Sequence, residues 1–260
     1  MDSPVPLRKP AADLPAGDLL TGLPRSGIRN ALRRAAAESP PAAHARPDGG
    51  LRVEETFFPR STDGLPADLF GPGFDGAMDD AEPPVFFDIE TCGLAHEPIF
   101  LIGCLRGEPR GLRFTSFFAR DPSEEPALLR RAVVLLGSAA VWVSFNGRSF
   151  DAPRLRRRAS LHSVEMPEPR EHRDLLLAVR RCWRASLPNC RLTTVEERLL
   201  GFHPRVGDVP GREVPERYRD YVRTGDPSWV RPVLEHNRRD VAAMVVLHRR
   251  LWREGAFPAS

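Results

Sequence analysis

The chain has 260 residues, 41% hydrophobic and 28% charged, enough apolar content for one well-buried domain and an extension. Its net charge of +3 is too small to argue by itself for nucleic acid, and no apolar run approaches the roughly 20 residues a membrane span needs. The opening MDSPVPLRKPAADLPAG lacks the apolar core of a signal peptide, and the four cysteines form no CxxC pair. A cytoplasmic protein with reduced thiols and no zinc site is therefore expected. Almost all basic charge is arginine, Lys9 being the only lysine. Arginine suits bidentate phosphate contacts, but in a chain this rich in Ala, Pro and Gly the bias is better explained by codon composition.

Residues 1–49, dominated by Pro, Ala, Gly and charge, read as a disordered or weakly ordered tail, with room for one short helix over 28–37. LRVEETFF, residues 51–58, reads as an edge strand, and residues 50–83 together as a wrapping arm or linker. The folded domain is placed at 84–255. It opens with an apolar run from Val85 into Asp88-Ile89-Glu90, followed by strands at 99–105 and 112–118 in an antiparallel meander. Asp121-Pro122-Ser123-Glu124-Glu125 has the acidic, proline-bearing look of a helix start, and that helix stops at Gly137. A fourth strand over 141–145 ends in Asn146-Gly147-Arg148-Ser149-Phe150-Asp151, and an arginine-rich helix follows to Leu161. His172-Arg173-Asp174 ends a short fifth strand, with a helix over 175–183. Thr193-x-x-Glu196 reads as a capping box for a helix reaching Gly201, and Pro215 opens another that Gly225 closes. The last helix is expected from about Ser228 to Arg253, with Val233, His236, Asp240, Met244 and Leu247 on one side. Strands first paired antiparallel, then alternating with helices, give an α/β fold with a mixed five-stranded sheet flanked by helices and a largely irregular N-terminal extension.

Side chains alternate along a strand, so Asp88 and Glu90 leave the same face and repel unless something positive sits between them. The plain alternative is a pair of acids marking the exposed end of a strand. Asp151 opens the helix after the fourth strand, and Asp240 lies on the last helix with His236 one turn before it. Sites in such sheets collect where strands end and helices begin. Four carboxylates around one point make sense if they hold two Mg²⁺ or Mn²⁺ ions for phosphoryl transfer.

FDIETCG, FNGRSFD and HNRRD, in that order, resemble the three motifs of the DEDD (DnaQ-like) 3′–5′ exonuclease superfamily, which has the ribonuclease H-like fold. The continuation into PIFLIG, the form FNGxxFD, and the later L-x-x-x-E-x-x-L-G, VPGREVPERYRDYV and EHN-x-x-D segments are similar to its YprB-like branch, over about residues 51–252. The resemblance implies a two-metal 3′–5′ exonuclease acting on DNA or RNA at a single-stranded end. Asp88, Glu90, Asp151 and Asp240 would be its metal ligands, and His236 the group that positions or deprotonates the attacking water. His236 stands four residues before Asp240, where much of the superfamily uses Tyr; members with His usually place it one residue further away. Gly93, Asn146, Gly147, Arg148 and Phe150 are candidate nucleic-acid contacts; as plain alternatives, the glycines and Asn146 form turns, Arg148 is solvated and Phe150 packs in the core. Arg154 and Arg157 flank the same motif. Asp174 reads as a helix N-cap, and Cys92 as a small buried residue. Two other readings stand beside the nuclease: a nucleic-acid-binding module of the same fold with little catalysis, and a recruiting protein that works through its N-terminal arm. An endonuclease with the same metal chemistry is a variant of the first. With Ser260 as the last residue, none of the helical repeats that branch members can carry is expected after the domain.

Overall fold

A computed structural model describes residues 51–59, 83–93, 96–108, 111–202 and 204–257. The short helix expected over 28–37 lies outside them. Six strands form one mixed sheet: β1 (Arg52–Pro59), β2 (Val85–Thr91), β3 (Ile99–Glu108), β4 (Gly111–Phe118), β5 (Val141–Ser144) and β6 (Glu171–Asp174). Their order across the sheet is β1-β4-β3-β2-β5-β6. β1, β4, β3 and β2 pair antiparallel, whereas β2–β5 and β5–β6 are parallel. The five expected strands are all present. The sixth is the predicted edge strand, which adds itself to β4 from Arg52 to Pro59 instead of standing apart from the sheet.

Helices cover both faces. On one side α1 (Glu125–Gly137), α2 (Asp151–Leu161) and α5 (Val214–Thr224) pack Leu128, Leu129, Leu155 and Tyr218 against Phe87, Phe100 and Ile102. On the other, α3 (Leu175–Trp183), α4 (Leu192–Arg198) and α6 (Arg231–Arg253) bring Val179, Val195, Val241, Met244 and Leu247 onto Phe86, Leu105 and Val143. β2 and β3 are buried from both sides, which is why they read as continuous apolar runs without alternation. Among the described residues no helix is long and apolar enough to cross a membrane. All four cysteines are free, and burial pushes the Cys92 thiol up to about 12.

Two helix starts differ from expectation. α4 begins at Leu192 after Arg191, without a side-chain cap. The Thr193–Glu196 capping box does not form because Arg205 takes the Glu196 carboxylate, while the Thr194 hydroxyl donates to Asn189 Oδ1. α6 begins at Arg231, with Pro232 in its first turn where no intrahelical N–H is lost. By contrast, Asp121 does start a short 3₁₀ turn, accepting the Ser123 N–H at 2.8 Å.

The joint between the antiparallel and parallel halves rests on a buried carboxylate. Glu125 accepts hydrogen bonds from the Ile99 amide, Arg158 Nε and the His162 ring, each at 2.8 Å. Burial alone would raise its pKa, but the Arg158 hydrogen bond and the Ile99 amide hold it below the usual carboxylate range. β3, α1 and α2 are thereby fixed to one another, and α2 is the helix that opens with Asp151. Removing one partner of a buried pair leaves the other charge uncompensated. Glu125→Ala is expected to cost about 3–5 kcal/mol in urea denaturation. A loss below about 1 kcal/mol, the range of an exposed pair, would show that this carboxylate does not anchor α2.

Candidate active site

β2 pairs with β5 only at Val85 and Phe86, so its later amides have no strand partner on that side. The Ile89 N–H is met by Asp151 Oδ1 at 3.1 Å, and the first residue of α2 is thereby pinned beside the β2 acids. The turn that delivers Asp151 is tight. Asn146 has φ +66°, and a Cβ built on Gly147 would lie 2.2 Å from Ser144 Oγ and 3.2 Å from Asp151 Oδ2, so only glycine fits. Asp174, at the end of β6, accepts the Asn146 N–H at 2.8 Å and the Arg148 N–H at 3.1 Å. It also caps α3 through the Leu176 amide, so the predicted N-cap holds the second motif as well. Ser144 Oγ and His172 Nε2, 2.7 Å apart, brace the same corner.

α6 closes the site from the other side. Asn237 is fully buried, and its amide donates to the Asp88 carbonyl at 3.2 Å and to Asp88 Oδ2 at 2.8 Å. It fits only because Gly103, the β3 residue paired with Asp88, has no side chain: a Cβ there would stand 1.9 Å from Asn237 Oδ1. His236 Nε2 lies 3.7 Å from Asp240 Oδ2, one helical turn on, and His236 Nδ1 lies 2.8 Å from Asp208 Oδ1. Arg205 contacts Asp240 Oδ1 at 2.5 Å, Asp208 Oδ2 at 3.3 Å and the buried Glu196.

The acids act on one another. Burial raises the pKa of Asp88 well above the usual range, and the charges of Asp151, Glu90 and Asp240 add to it. Glu90 is pushed up to about 8, first by burial and then by Asp240 and Asp151. Asp151 rises to about 7 by burial, against the hydrogen bond from Ile89. Burial would lower His236, but the bond to Asp208 and the charges of Asp240 and Glu90 hold it up at about 9. Such a donor set, all oxygen and short of positive charge, suits a hard divalent cation. Its side chains are at present engaged by protein donors: Asp88 by Asn237, Asp151 by the Ile89 amide and Asp240 by Arg205. Among the described residues no three His, Cys, Asp or Glu form a group that could hold a metal ion as they stand.

Asp88, Glu90, Asp151, His236 and Asp240 are thus brought together. Gly93 lies in the turn after β2, its carbonyl accepting the Thr91 hydroxyl at 2.8 Å. Arg148 is exposed. Phe150 is not a core residue: it is 37% exposed, because Ala152 and Leu155 take the inward positions of α2, and the Arg154 guanidinium carbon sits 3.3 Å from its ring centroid. Asp208 and Arg205 escaped the sequence reading, while Asn237 and Glu196 stood in it only as motif positions, Glu196 also as half of a capping box, with no part at the site. Asn237 was open to notice as an amide on the apolar side of an amphipathic helix; Arg205 and Asp208 sit in a loop whose charges look like any solvated turn.

The fold and the acid cluster at the ends of its central strands define a ribonuclease H-like α/β protein. The RNase_H superfamily model matches residues 85–252, and the chain belongs to that superfamily. It is 32% identical over 168 residues to an uncharacterized protein, YprB, of Bacillus subtilis (strain 168), as the YprB-like motifs led one to expect. That stretch is 63% of this chain and 40% of the relative, so the chain spans about two-fifths of the length of its curated relative. Among solved structures, the family B DNA polymerase of Pyrobaculum calidifontis superposes with a TM-score of 0.52 at 20% identity, over 66% of this chain and 25% of the polymerase. E. coli exonuclease I in complex with a dT13 oligonucleotide matches at 0.45 and 14%, over 65% and 41%. The first likeness shows the fold; the second is too loose to add to it.

Two consequences are measurable. The folded pKa of Glu90, about 8, lies above its ordinary 4.5, so the stability tied to its protonated form is complete below about pH 4.5 and lost as pH rises to about 8. Metal-free protein in chelator is expected to melt lower at pH 8 than at pH 6. Glu90→Gln should flatten that slope and raise the pH 8 Tm by roughly 2–4 °C for each kcal/mol relieved. The same slope in both proteins would contradict the raised Glu90 carboxyl, whose first cause is burial. Separately, Gly103→Ala must push Asn237 off Asp88, an overpacking expected to cost about 1–3 kcal/mol in urea denaturation. Wild-type stability in that variant would mean that Asn237 has somewhere else to go.

Proposed function

We propose that this protein is a metal-dependent nuclease, a cytoplasmic 3′–5′ exonuclease that hydrolyses phosphodiester bonds of DNA or RNA. The observation that carries this reading is the convergence of Asp88, Glu90, Asp151 and Asp240, the last three adding their charges to the burial that makes Asp88 costly to ionise, with His236 beside them. Those four carboxylates would hold two Mg²⁺ or Mn²⁺ ions. When bound, such ions lower the pKa of an attacking water and stabilise the leaving oxygen. The chain's own residues supply the frame. Asn237 orients Asp88, the Ile89 amide orients Asp151, and the Asn146–Gly147 turn held by Asp174 sets where α2 begins. His236, one helical turn before Asp240 and facing it, would position or deprotonate the attacking water. The exposed Phe150 with Arg154 across its ring, next to Arg148, is suited to a single-stranded end: an aromatic face for a base and guanidinium groups for phosphates.

One observation favours the second reading, a nucleic-acid-binding module with little catalysis: Arg205 occupies Asp240, a contact that any cation must displace. A single experiment separates the two. Single-stranded DNA and RNA oligonucleotides labelled at either end are incubated with Mg²⁺ or Mn²⁺ and wild-type protein, Asp88→Ala or Asp240→Ala. Metal-dependent shortening from the 3′ end, abolished by both substitutions, is expected. Internal cuts lost in the variants would make it an endonuclease, and binding without cleavage under either metal would leave the binding module.

A further inference from the structure

The loop between α4 and α5 reaches the site with two charged residues that no motif marks, Arg205 and Asp208. Arg205 is anchored first on α4: its Nε donates to Glu196 Oε2 at 2.8 Å, and a second guanidinium nitrogen pairs with Oε1. The side chains are 9% and 3% exposed, so this is a buried, two-point contact with little freedom to swing. From that anchor Arg205 Nη1 lies 3.3 Å from Asp208 Oδ2. The loop closes on itself, the Asp208 N–H donating to the Arg205 carbonyl at 3.3 Å. The other Asp208 oxygen, Oδ1, takes His236 Nδ1 at 2.8 Å.

This chain of contacts does something specific to the imidazole. With Nδ1 given to Asp208, Nε2 is the nitrogen left for the acids, and it faces Asp240 at 3.7 Å. A histidine held only by its own helix could otherwise rotate about both side-chain torsions. A carboxylate on its second nitrogen fixes ring direction and proton position together. The spacing of four between His236 and Asp240 puts the two side chains on one face of α6, and Asp208 then decides which edge of the ring meets that face.

We propose that Asp208, held by Arg205 and Glu196, is the positioning residue that orients His236 for phosphodiester hydrolysis; this rests on the nuclease reading. The test uses the full chain as wild type, Asp208→Ala and Asp208→Asn, with His236→Gln to assign the imidazole signals. Nitrogen-15 NMR of metal-free protein reads the contact itself: a protonated, slowly exchanging His236 Nδ1 is expected in the wild type and lost in Asp208→Ala. In cleavage assays Asp208→Ala should lower kcat on the order of 10–100-fold, with KM for the oligonucleotide and the Mn²⁺ affinity within about two-fold. Asp208→Asn keeps an acceptor oxygen in the same place and should recover part of kcat; it also carries the test if the alanine variant does not fold. An unchanged imidazole signal in Asp208→Ala, an unchanged kcat, or a loss confined to KM or metal affinity would overturn the assignment. A wild type that cleaves nothing would instead end the nuclease reading, and the imidazole signal would still decide whether Asp208 orients His236.

Discussion

Four carboxyl groups within one another's field, largely out of water, form an arrangement that pushes itself apart. The fold around it is a set of restraints against that repulsion. Asp88 is tied by an amide from α6, Asp151 by a backbone N–H of β2, and Asp240 by the guanidinium of Arg205. Each restraint comes from a different element, so the cluster exists only when sheet, turn and last helix are in place together. Pre-organisation at the cost of stability is a common feature of functional sites.

The topology explains why the cluster sits where it does. The central strand β2 is antiparallel to β3 on one side and parallel to β5 on the other, and it outruns β5. The amides left over at its end need partners, and Asp151 supplies one. The same economy recurs one strand further out, where Asp174 at the end of β6 satisfies two amides of the Asn146–Gly147 turn. On the other flank, a missing side chain at Gly103 makes room for Asn237. Backbone hydrogen bonding thus fixes Asp151 and the turn before it, while side-chain donors hold Asp88 and Asp240.

Around this core the charges are nested. Glu125 with Arg158 and His162 locks α2 from behind, and Glu196 with Arg205 and Asp208 locks α6 and its histidine from the side. Both sets are buried, both end on a residue that touches the acid cluster or the helix carrying it, and both place arginine where a planar, bidentate donor is needed. The arginine bias of the chain reflects its composition, yet at these two positions lysine could not make the same contacts.

How much of this was legible in the sequence follows from the range of the forces involved. Strand and helix periods are local, so among the described residues β2 to β6 and the six α-helices were placed from apolar spacing and end signals, with differences at helix ends, as where Glu196 pairs with Arg205 instead of closing a capping box. The motif residues were legible because FDIET, FNGxxFD and HNxxD keep their chemistry within a few positions. The roles of Asn237, Asp208 and Arg205 were not, since each depends on a partner outside its own segment: Asp88 for the first, His236 for the second, Asp240 and Glu196 for the third. Phe150 was left open between a base contact and the core because apolar character says nothing about which side of a helix start faces the sheet. The sequence alone determined the elements, the acids and their order; tertiary structure alone decided which donor meets which carboxylate, because repulsion and desolvation act through space once the strands have met.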